Sequence, residues 1–270
     1  TNIAHMFRYT SKFDQDISDW NVPSSRVTVG LDTYASAGTN HSEPLLFNSS
    51  SLYYFKINRT PLTNSNIQTA VNTWIADTSI LEYGGHISNW DVSNVTNMIN
   101  LFKDKTSFNE NISGWNVSNV TNMREMFRMC SAFNQNISSW NTSNVTTMYS
   151  MFLNANSFNQ NLNSWDVSSV TTISYMFRHA EAFNQPLNNW DLSSCTNITR
   201  AFNQAYAFNQ DISSWDVSGV SSLQQVFHGA LAFNQDISSW DVSGVTSIQQ
   251  VFHGASAFNQ DISSWNLSNV

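Results

Sequence analysis

Apolar residues recur along this chain in rows, not in blocks. Tryptophan stands at 90, 115, 140, 165, 190, 215, 240 and 265, an unbroken step of 25 residues, and two phenylalanine rows, Phe108 to Phe258 and Phe102 to Phe252, keep the same step. Self-similarity at such a period marks a solenoid, whose small unit buries its apolar face only against neighbouring copies. With Phe108 and its equivalents counted as position 1, apolar residues fall at positions 5, 8, 10 and 13, as in FNQDISSWDVSGV. Trp at 8 and Val at 10 share one face of a short extended stretch, because strand side chains alternate. From position 13 the spacing changes: Val120, Met123, Met126, Phe127 and Cys130 trace the stripe of a short helix. Thr121, Thr146, Thr171 and Thr246 stand where that helix would take a hydroxyl cap. The pattern therefore predicts an α/β repeat solenoid of leucine-rich-repeat-like, right-handed coils, each a short parallel strand plus a short helix. A return loop opening Phe-Asn-Gln closes the coil, and its asparagine row, Asn109 to Asn259, is expected to satisfy loop backbone groups.

The same pattern divides the chain. Residues 1–22 carry the repeat and read as the end of an upstream array, since Trp20 to Trp90 is not a multiple of the period. Residues 23–62 form a connector rich in Ser, Thr and Asn, with a strand at Leu52 to Ile57. Residues 63–83 form a helical N-terminal cap, with Ile67, Ala70, Val71, Trp74 and Ile75 on one face behind Thr63 or Ser65. Residues 84–270 are the main array, expected to be open at its C-terminal coil. Val270 occupies position 13 and Thr1 position 14, so the two ends are in phase, which points to head-to-tail continuation.

Composition narrows the function. Only 11% of residues are charged, so neutral Ser, Thr and Asn carry solubility, and a net charge of -8 argues against binding nucleic acid. No stretch approaches the roughly 18 apolar residues of a membrane span. Cys130 and Cys195 lie in different apolar rows and read as buried hydrophobes, not a disulfide. No nucleophile motif, phosphate loop or paired-cysteine metal motif occurs, and the repeat shows no local break of the kind an active site makes, so no enzymatic activity is expected. Asp166, Asp191, Asp216 and Asp241 occupy position 9 of successive coils. In paired parallel strands they would lie about 4.8 Å apart, a carboxylate row that suits calcium; the competing reading has each bonded to local backbone or Ser hydroxyls. His228 and His253 share one position in adjacent coils, where two ligands make a weak site and a solvent-facing role competes. Asn40, Asn48 and Asn58 are sequons in the connector, hence the best glycosylation acceptors.

The units FNQNISSWNTSNVTTMYSMF and FNQDISSWDVSGV, with NSNIQTAVNTWIADTSILEYGGHISNWDVSNVTNM before them, resemble the BspA-like surface-protein repeats of bacteria, mycoplasmas and some marine microbes. The resemblance takes in 1–22 and roughly 59–270. It implies a leucine-rich-repeat-like solenoid on secreted or surface-anchored proteins, with adhesion the usual inference and no established biochemical role for most members. The function expected is thus a non-enzymatic extracellular or cell-surface structural protein, a segment of a head-to-tail fibre whose partners are copies of itself or neighbouring surface proteins. The alternative is an adhesin that binds a glycan or protein on the Ser-Asp-Ser face.

Overall fold

The computed structural model describes residues 60–80 and 82–270. The chain segments expected to end an upstream array (1–22) and to form most of the connector, including Asn40, Asn48 and Asn58, lie outside the described residues. Helix α1, Ile67–Ala76, opens the structure and buries Ile67, Ala70, Val71 and Trp74. Its N-cap is Asn66, not Thr63 or Ser65; Asn66 Oδ1 reaches back to accept from the Thr63 amide at 2.8 Å. Asn64 then does for the first coil what a preceding coil would do: its Oδ1 accepts from the amides of Thr96 (2.9 Å) and Asn97 (3.0 Å).

The expected rows are inside. Trp140 and Trp165 are 3% and 2% exposed, and positions 1, 5, 8, 13 and 16 are buried throughout the central coils. Aromatic rings stack on their equivalents from coil to coil, as Phe127 on Phe152 (5.6 Å, 7°) and Trp140 on Trp165 (6.3 Å, 6°). The two phenylalanine rows also meet where one coil passes into the next, Phe127 lying 4.1 Å from Phe133. Cys130 and Cys195 are free and buried, and burial pushes the Cys130 thiol up to about 12.

The path between the rows is not the expected one. Among the described residues the coils contain no α-helix and no extended strand, only a single 3-10 turn at Ile87–Asn89, and the strand-type pairing is a row of isolated parallel bridges at position 15, such as Asn122↔Thr147 and Thr147↔Thr172. The segment expected to be helical is a run of turns. Amides at positions 19, 21 and 23 bond three residues back (Met126 to Met123, Arg128 to Glu125, Cys130 to Phe127), while those at 16, 18, 20 and 22 bond forward into the next coil (Met123 to Thr147, Glu125 to Tyr149, Phe127 to Met151, Met129 to Leu153). This alternation needs a left-handed residue at positions 18 and 22, and Glu125 (φ 53), Met129 (φ 60), Ser150 (φ 53) and Asn154 (φ 58) supply it. Repeated left-handed residues are incompatible with an α-helix, which would turn every amide along its own axis and leave the coils unlinked. Thr121, Thr146, Thr171 and Thr246 are therefore not helix caps. Backbone N–H and Oγ1 of each donate to the carbonyl of the preceding coil's residue at the same position, as Thr146 does to Thr121.

The stretch expected to be a strand has no backbone ladder between coils, and side chains make the links instead. Trp140 Nε1 donates to the Ile112 carbonyl (3.2 Å), Ser164 Oγ to Ser138 (2.8 Å) and Asn144 Nδ2 to Ser118 (2.7 Å), each in the preceding coil. The asparagine row behaves as expected: Asn184 Oδ1 accepts from the Asn209 amide (3.0 Å) and from Gln210 Nε2 (2.8 Å), and its equivalents repeat this along the array.

Candidate functional site

Rows that hold coils together must stay uniform, so a site is sought where the repeat varies. The polar rows described above repeat nearly unchanged, whereas positions 17, 18, 21, 22 and 24 differ from coil to coil. Position 17 runs Ile99, Arg124, Tyr149, Ser174, Thr199, Gln224 and Gln249; position 18 runs Asn100, Glu125, Ser150, Tyr175, Arg200, Gln225 and Gln250. Every Lys and Arg of the described residues, Lys103, Lys105, Arg124, Arg128, Arg178 and Arg200, falls between positions 17 and 23. The turns that replace the helix bring these side chains into one strip along the solenoid.

At one end of the strip Glu125, buried, meets Lys103 Nζ (2.8 Å), Arg124 Nε (3.1 Å) and Arg128 Nη1 (2.8 Å). Burial works to raise the carboxyl, but the three cations outweigh it and hold the group at about 2. One carboxylate among three cations leaves the cluster positive. Arg124 continues the strip over the Tyr149 ring (4.6 Å), which lies 5.5 Å from Tyr175. Tyr175 receives two more guanidiniums, Arg200 at 5.3 Å and Arg178 at 5.9 Å from its centroid, and its hydroxyl accepts from Arg200 Nη1 at 2.7 Å. Arg200 Nε also donates to Gln225 Oε1, and Gln225 Nε2 to Gln250 Oε1. Among the described residues the Arg178 guanidinium has no carboxylate and no hydrogen-bond partner, and its Nε is buried. The strip thus joins cations, phenols and amides across consecutive coils.

The aspartates singled out from the sequence lie on the other half of the coil, exposed. Each turns inward on its own loop: Asp166 Oδ1 accepts from the Ser168 amide (3.0 Å) and hydroxyl (2.6 Å), and Asp216 does the same with Ser218 (3.0 and 2.6 Å). Asp191 and Asp241 cap the amides of Ser193 and Ser243. The Ser168 and Ser218 hydroxyls, then their amides, hold the Asp166 and Asp216 carboxyls below the usual range; for Asp191 the Ser193 amide contributes most. Repulsion from Asp191 and Asp241 works the other way on Asp216. A second row at position 4, Asp211, Asp236 and Asp261, was not singled out from the sequence and makes the same turn; Asp236, Asp261 and neighbouring serines line a shallow groove of about 380 Å³. Among the described residues no group of three His, Cys, Asp or Glu side chains is placed to hold a metal ion. His228 and His253 stack on each other, 4.8 Å apart, at position 21 of the strip, and His228 Nδ1 is buried without a partner. No helix of the described residues is long and apolar enough to cross a membrane.

The strip was legible in one respect only: within a strict repeat, the departures from it fall at a few positions. That their side chains touch one another depends on the turns.

A family described as "Mycoplasma protein of unknown function, DUF285" matches residues 1–43, 69–190 and 173–270. Among solved structures the chain is similar to a leucine-rich cell surface protein from Faecalibacterium prausnitzii at 15% identity, over 62% of this chain and 76% of that one, with a TM-score of 0.19. No curated protein matches.

Proposed function

Since the chain belongs to the DUF285 family, whose match spans most of its length, we propose that it is a non-enzymatic repeat protein of the cell surface, a rigid solenoid that presents the strip from Lys103 to Gln250 to an extracellular ligand. The observation that carries this reading is the division of labour between positions. Ser, Thr, Asn and Trp of the uniform rows are consumed in linking coils, and the Ser-Asp-Ser face is consumed in its own turns. Only the strip combines coil-to-coil variation with cations and rings facing outward, and departures from a structural rule concentrate where function is placed. The ligand-contact face is accordingly assigned to the strip, in place of the Ser-Asp-Ser face. The test is a binding screen of the labelled chain on immobilised glycans and host-matrix proteins. Arg124→Ala combined with Tyr149→Ala should abolish a saturable signal that Asp191→Ala with Asp216→Ala leaves intact; the reverse outcome would return the site to the aspartate face.

A second reading, a segment of a head-to-tail fibre, rests on the direction of the ladder. Amides at positions 16, 18, 20 and 22 donate forward, so successive coils join in one direction by repeated backbone bonds, a contact that further copies of the repeat extend head to tail. Concentration-dependent assembly of the 270-residue chain, seen by sedimentation, would favour the fibre; a monomer at millimolar concentration would discard it.

A further inference from the structure

Arg178 and Arg200 sit in consecutive coils and converge on one phenol, yet among the described residues neither has a carboxylate partner. Elsewhere in the strip Lys103, Arg124 and Arg128 each reach a carboxylate, the one of Glu125. A half-buried guanidinium without hydrogen bonds, like Arg178, retains unspent donor capacity that an incoming anion would use. Resting on the reading of the strip as the contact face, we propose that the segment around Tyr175, Arg178 and Arg200 binds a linear acidic polysaccharide laid along the solenoid axis, one anionic group at each arginine.

Three features favour this ligand. In the core beneath this segment the equivalent rings Phe177–Phe202 and Phe183–Phe208 lie 5.5 and 6.1 Å apart, a coil spacing similar to the rise of one sugar unit along an extended glycan, so successive units meet successive coils. Tyr149 and Tyr175, 5.5 Å apart and tilted by 55°, add aromatic surface beside the guanidiniums for the C–H side of a sugar, and the amides of Gln224, Gln225, Gln249 and Gln250 continue the strip with groups suited to hydroxyls. A nucleic acid is disfavoured by the rest of the molecule: its dense phosphates would run beside a chain of net charge -8 with aspartate rows at positions 4 and 9, whereas a glycan with one anion per sugar or disaccharide matches two isolated arginines.

The experiment is titration calorimetry of the 270-residue chain with polygalacturonate, heparin, neutral dextran and single-stranded oligo(dT). Either acidic glycan should bind saturably, the two distinguishing carboxylate from sulfate recognition, and the affinity should fall with added salt. Arg178→Gln and Arg200→Gln should each weaken it about tenfold, the size expected for one charge-assisted contact, with far-ultraviolet dichroism unchanged. Asp191→Asn with Asp216→Asn should leave it within about twofold, well under that tenfold step. Absence of binding to both acidic glycans, oligo(dT) binding as tightly as they do, or unchanged affinity in both arginine variants would each overturn the proposal. If the strip variants still abolish binding in the surface screen while the acidic glycans fail, the contact face stands and only the ligand class is wrong.

Discussion

Single residues in this protein act mostly as replacements for a backbone ladder. Asn184 shows how: its Oδ1 answers the Asn209 amide and the Gln210 side chain of the next coil, at a level where no carbonyl is aimed at them. Truncation leaves a partly buried amide without an acceptor, which costs about 1–3 kcal/mol. Asn184→Ala should therefore lower the urea midpoint, and Asn184→Asp, which keeps the oxygen, should recover most of the loss; equal losses in the two variants would mean that the row is not held by its oxygen. Thr142 follows the same logic in an apolar row. It replaces Val at position 10, is buried, and places its hydroxyl on the Asp166 carbonyl at 2.8 Å.

At the scale of the element, the turn run does what strands do in other solenoids. Alternate amides close local turns and the others point at the next coil, so half of the coil is laddered by backbone and half by side chains. The ladder has one gap. Thr121, Thr146, Thr171, Thr196 and Thr246 donate to the coil before them, but no such bond joins Ser221 to Thr196, and the bridge row skips from Asn197 to Ser222. Ser221 is also where serine stands in for the threonine of this row, removing a β-branch that restricts the backbone. Its amide should exchange with deuterium faster than those of Thr171, Thr196 and Thr246 in native-state measurements. Equal protection at all four would show that the gap closes in solution.

Among the described residues of the array every Lys and Arg lies on one strip and the aspartates of positions 4 and 9 lie in rows on the other half of the coil, which sets the response to acid. The carboxyls of Asp166, Asp191, Asp211, Asp216, Asp236, Asp241 and Asp261 are all held below their ordinary value by the serine two residues on. A depressed native value contributes stability that is complete above the unfolded value, about 3.9, and is lost as pH falls through the native one. Glu125 extends this loss down to about 2. The Tm should accordingly stay level from about pH 7 to 5 and fall below about pH 4, and Glu125→Gln should remove the most acidic part of the fall. A Tm that rises on acidification would show that repulsion along the aspartate rows outweighs their turn bonds.

Period, core and inventory were determined by the sequence alone. A side chain that must be buried against its own copy in the next coil repeats at the length of the coil, so the Trp and Phe rows declare both the solenoid and its interior. The apolar face of α1 and the free, buried cysteines are read the same way. What the tertiary structure decided is the path of the backbone between buried positions. Val120, Met123, Met126, Phe127 and Cys130 keep the same inward spacing whether wound as a helix or folded as linked turns, and the sign of φ at Glu125 and Met129 that separates the two leaves no trace in an apolar pattern. The strip follows from that choice. Arg124, Tyr149, Tyr175 and Arg200 are spread over about three coils of sequence and meet only because the turns stack their positions side by side.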